Sequence, residues 1–87
     1  MIEKKMFYID GAWVAPREGR EHAVINPSTE EPCAVIALGG QADTDAAVAA
    51  ARAAFPAWMA TPPEERIALV EKILEIYQGR AEDLAQA

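Results

Sequence analysis

Between Gly40 and Tyr77 the apolar positions recur at spacings of three and four, the signature of two consecutive amphipathic helices. In the first, Val48, Ala51, Phe55 and Trp58 fall on one stripe, with Ala47 and Ala54 beside it. Most of its other positions are alanine, the best helix former and the smallest side chain with a Cβ, so the pattern predicts a helix packed closely on two sides. Gly40 is placed to act as its N-cap. Asp43 then falls at N3 and Asp45 is also read into the first turn, where carboxylates complement free N–H groups and the positive dipole end. Pro56 removes the hydrogen bond to the Arg52 carbonyl and crowds it, at roughly 3 kcal/mol in a helix interior, which predicts a kink or a stop.

Thr61-Pro62-Pro63-Glu64 reads as a restart, with Thr61 as N-cap, Pro62 at N1 and Glu64 reaching back in a capping box. In the second helix Ile67, Val70, Ile73, Leu74 and Tyr77 form a broad apolar face opposite Glu65, Arg66, Glu71, Lys72, Glu75 and Gln78. Gly79 is expected at C′. A third helical segment opens near Arg80 or Ala81 and is still running at Ala87, as though interrupted.

Before Gly40 the pattern changes to short aromatic and β-branched pieces. Phe7-Tyr8-Ile9 and Trp13-Val14 flank Asp10-Gly11, a pair suited to a type I′ turn, which predicts a β-hairpin. Pro16 to Arg20 is a polar turn. His22–Ile25 and Cys33–Leu38 are a second pair of strands around the loop Asn26–Pro32, closed by Gly39-Gly40. The expected class is therefore α+β: two β-hairpins over residues 1–39, then two to three α-helices over 40–87.

Eighty-seven residues allow one small core, with burial of only about 60% of the surface of the unfolded chain. A formal net charge of −6 with scattered basic residues argues against a nucleic-acid or membrane-surface partner, both of which are bound by neutralising negative charge. No run is apolar and long enough to span a bilayer, and the N-terminus carries no legible signal peptide. The single cysteine excludes an internal disulfide and suits a reducing compartment, so the cytoplasm is the expected location.

The candidate chemistry is sparse. His22 is the only histidine and has no serine, aspartate or second metal ligand at a useful spacing, so it reads as a strand residue. Cys33 lies in an apolar strand pattern with no neighbouring base, so it reads as structural. Gly39-Gly40 before a helix resembles a phosphate-binding turn only superficially, because neither the P-loop nor the dinucleotide spacing follows and Asp43 and Asp45 would repel a phosphate. Glu30-Glu31 would need further oxygen ligands to hold a cation and reads as a solvated loop. Phe55 and Trp58 read as packing anchors. No catalytic, cofactor-binding or metal-binding residue is assigned.

With those residues in hand, the chain resembles the N-terminal segment of the aldehyde dehydrogenase superfamily, of a bacterial-type subgroup. Tyr8-Ile9-Asp10-Gly11-Ala12-Trp13 is similar to the opening hairpin, and Ile25-Asn26-Pro27-Ser28-Thr29 to the Asn-Pro turn that follows. Asp43-x-Asp45-Ala46-Ala47-Val48, then Ala50-Ala51-Arg52-x-Ala54-Phe55-x-x-Trp58, are similar to the first helix, and Glu65-Arg66, Leu69–Ile76 and Asp83-Leu84-Ala85 continue in the same order. The departure is Glu30-Glu31-Pro32, where most members carry Gly-Glu after the threonine.

The resemblance implies a parent enzyme of α/β class with a Rossmann-like cofactor domain. Its reaction is the NAD- or NADP-dependent oxidation of an aldehyde to a carboxylic acid through a cysteine thiohemiacetal. It also implies that residues 1–87 are the N-terminal part of the cofactor-binding domain, without the catalytic domain and without a cofactor site of their own. The family's nucleophilic cysteine, general-base glutamate, oxyanion-hole asparagine and cofactor-binding lysine are expected beyond Ala87, and Cys33 does not match the nucleophile. Some members bind a monovalent cation through backbone carbonyls just before the Asn-Pro pair, here Val24 and Ile25, but its remaining ligands would lie outside this chain. The expected partners are the remainder of the enzyme or other copies of the chain, as a homo-oligomer. The alternative is a free-standing interaction module whose helices dock a partner.

Overall fold

The computed structural model describes all 87 residues, Met1–Ala87. The chain runs through β1 (Ile2–Lys4), β2 (Phe7–Ile9), β3 (Ala12–Val14), β4 (Arg20–Ile25) and β5 (Pro32–Leu38). Three helices follow: α1 (Gln41–Ala60), α2 (Pro63–Gly79) and α3 (Ala81–Gln86). This is the α+β class. By its internal contacts the chain divides into two units, Met1–Phe55 and Pro56–Ala87.

In the first unit, β2 and β3 form the expected hairpin, with Phe7 opposite Val14 and Ile9 opposite Ala12. Asp10 and Gly11 sit at its tip with φ of 54° and 75°, the paired positive values that a type I′ turn requires. Tyr8 and Trp13 meet across it edge to face, 5.3 Å between ring centroids. The second hairpin, β4 with β5, forms with a register shift between Val24 and Ile25. It is part of a larger sheet of order β1-β5-β4, in which β1 lies parallel to β5. The pattern gives no sign of β1, because Ile2-Glu3-Lys4 has neither alternation nor a local partner; its pairing is with residues more than thirty positions away. The central strand is the near-continuous apolar run, and all of Ala34–Leu38 is half-buried. Lys5 Nζ lies 2.8 Å from Glu21 of β4 and 3.4 Å from Glu3.

Four helix details differ from expectation. Asp43 is the only acidic residue in the first turn of α1, and Asp45, one position beyond that turn, accepts a hydrogen bond from Gln41 instead. Of the kink or stop expected at Pro56, the stop does not occur, since α1 continues to Ala60. Thr61 is not the N-cap of α2. Pro62 occupies that position with φ −58° and ψ 147°, and no side chain caps the helix. The reason is steric: a residue before proline is driven out of the α region, so Pro62, preceding Pro63, must be the last extended residue. Thr61 instead closes α1, its hydroxyl donating to the Ala57 carbonyl at 2.9 Å and its N–H to Trp58 at 3.1 Å. Gly79 is the last residue of α2 and not a left-handed C′; Arg80, with φ −112°, separates α2 from α3.

No apolar side chain is buried anywhere in the chain. Phe55 and Trp58, expected as packing anchors, are 58% and 47% exposed. The accessible surface is 7301 Å², against about 5,000 Å² for a folded monomer of this mass. Burial is therefore about 46% of the extended-chain surface instead of the expected 60% or so.

Candidate functional site

The most organised cluster of polar groups lies where the β3–β4 turn meets the start of α1. Asp43, 6% exposed, is the only buried residue of the chain. Its Oδ1 accepts from the Arg17 N–H at 2.6 Å, and its Oδ2 from the N–H groups of Gly40 at 3.1 Å and Glu18 at 3.2 Å. The Gly40 bond is the reciprocal half of a capping box. The other two tie a turn twenty-five residues upstream to the helix. These donors, the Arg17 N–H foremost and then that of Gly40, hold the carboxyl below the usual carboxylate range, against the opposing effect of desolvation.

Glu18 completes the cluster, its Oε2 accepting from the Ala42 N–H at 3.3 Å. Sequence reasoning missed Glu18, since nothing in a polar turn signals a partner twenty-four residues ahead. Two backbone donors of the α1 N-terminus, on Gly40 and Ala42, thus already hold carboxylates. Gly39 and Gly40 have a packing reason: a Cβ on Gly39 would come within 3.0 Å of the Phe7 ring, and one on Gly40 would run into the Glu18 side chain, 2.8 Å from its Cβ. The glycine pair lets backbone and side chains approach closely, and the arrangement fastens backbone to backbone with no nucleophile in it.

Beside this clasp, still within the first unit, an open cleft of ≈ 750 Å³ separates the β2–β3 hairpin from α1. Ile9, Asp10, Val14 and Arg17 line one side, and Ala42, Asp45, Ala46 and Ala50 the other. A second hollow of ≈ 350 Å³ continues it along Ala47, Ala51 and Ala54. No histidine or cysteine lines either hollow, and the one hydroxyl-bearing residue is Tyr8, in the second.

The remaining candidates stand apart from one another. His22 is exposed on β4. Cys33 is exposed, and its thiol donates to the Val24 carbonyl at 3.4 Å. That is one of the two carbonyls considered for a cation, and the other, on Ile25, lies just past the register shift. No three histidine, cysteine or carboxylate side chains cluster as a metal site would require. Glu30 and Glu31 are exposed, and Glu30 has φ 60°. The loop is organised instead by Asn26, whose N–H donates to Glu31, whose carbonyl accepts from Glu30, and whose Oδ1 accepts from Ser28 at 2.9 Å.

Residues 13–87 match the family model described as "Aldehyde dehydrogenase family". Over its whole length the chain is 40% identical to a 3-succinoylsemialdehyde-pyridine dehydrogenase of Pseudomonas sp, covering 18% of that protein. Over 80 residues it is 42% identical to a putative aldehyde dehydrogenase of Staphylococcus aureus, covering 92% of this chain and 17% of the relative. The fold superposes on the crystal structure of an aldehyde dehydrogenase from Bartonella henselae with a TM-score of 0.92 at 51% identity, over 99% of this chain and 18% of that one. It superposes on an aldehyde dehydrogenase C mutant from Pseudomonas syringae, solved with NAD+ and octanal, with a TM-score of 0.86 at 49% identity, over 95% of this chain and 17% of that one. The chain spans less than a fifth of the length of each of these relatives.

Proposed function

The chain belongs to the aldehyde dehydrogenase family, and from that premise we propose that it is the N-terminal part of the cofactor-binding domain of an NAD- or NADP-dependent enzyme. That enzyme oxidises an aldehyde to a carboxylic acid in the cytoplasm. The observation that carries this reading is the superposition on the Bartonella henselae enzyme: nearly the whole chain, β1 included, has a counterpart there, yet it accounts for only 18% of that protein. The related Pseudomonas syringae structure with NAD+ and octanal supports the cofactor and substrate class.

In this reading residues 1–87 bring no reacting group and no cofactor contact. Their task is scaffolding: the Asp43 clasp sets the β3–β4 turn against the start of α1, and the alanine side of α1 and the apolar side of α2 are surfaces that the rest of the enzyme covers. The bare apolar exposure of both helices supports this. The same exposure is what an interaction module would present, so the two readings need a direct test.

The test has two parts. The reading frame downstream of Ala87 in the source DNA is sequenced and the encoded protein is assayed for aldehyde-dependent NADH or NADPH formation; activity supports the proposal, and an immediate stop favours the module. The 87-residue chain alone is titrated calorimetrically with NAD and NADP. No heat of binding is expected at micromolar concentrations, and saturable binding would show a cofactor site within these residues.

A further inference from the structure

We draw no further inference here: the strongest candidate, the hollow of ≈ 280 Å³ that Lys5, Arg17 and Arg20 line between the β1–β2 junction, the β3–β4 turn and β4, carries nothing, because Lys5 is already paired with Glu21 and Glu3, both arginines are exposed, and nothing in the structure points to an anion between them.

Discussion

At the scale of single residues, two positions carry more than their sequence context announces. Glu30 holds φ 60°, a left-handed conformation costing about 1–2 kcal/mol for a residue with a Cβ. Glu30→Gly should therefore stabilise the chain, by up to about 1 kcal/mol after the larger backbone entropy of glycine in the unfolded state is subtracted. A higher urea midpoint at unchanged slope is the expected result. Asp43 is the second position. Its folded pKa is depressed, so its stabilising contribution is complete above the ordinary carboxylate pKa and is lost as the pH falls from there through the lower folded value. Asp43→Asn, which keeps one acceptor oxygen and loses the charge, should lower the melting temperature by several degrees at neutral pH. It should also flatten the acid limb of stability below pH 4 or so, read by circular dichroism across that range.

At the scale of elements, the helix ends are where local rules competed. Thr61 fits the capping-box pattern, yet its hydroxyl serves α1, because two consecutive prolines exclude the α conformation from the residue before each of them. Thr61→Ala should then cost less than about 0.5 kcal/mol, not the roughly 1 kcal/mol of a lost N-cap; a larger loss in thermal unfolding would restore the capping role. Gly79 reads as a stop signal but lies in the last turn of α2 at negative φ, with open space where a Cβ would project. Gly79→Ala should stabilise by about 0.5–1 kcal/mol, measurable as a rise in melting temperature.

At the scale of the whole molecule, what distinguishes this chain is surface without cover. Trp58 lies on the apolar stripe of α1 and is 47% exposed. In the isolated chain Trp58→Ala should cost less than about 1.5 kcal/mol, about the least expected for a fully buried large side chain. Within the proposed longer enzyme the same change should cost about 3–5 kcal/mol, as large-to-small core changes do. Differential scanning of the two proteins side by side separates the cases, and equal losses would show that nothing beyond Ala87 covers this face.

The elements with a local cause were legible in the sequence by itself. Asp10-Gly11 determined the first hairpin, the apolar run of β5 a central strand, the three-and-four spacing both long helices, and the ordered motifs the family. These depend on neighbours within a turn or a strand pair, where propensity and side-chain period act directly. What only the tertiary structure decided has its cause at long separation. The three-residue β1 is a strand because β5 offers it an edge. Glu18 joins Asp43 because folding brings a turn to a helix start. Gly39-Gly40 follows from the room needed by Phe7 and Glu18, not from a ligand. The exposure of Phe55, Trp58 and the α2 face was likewise decided there: a hydrophobic stripe specifies that a helix has a buried side, and only the fold shows whether the surface that buries it is present.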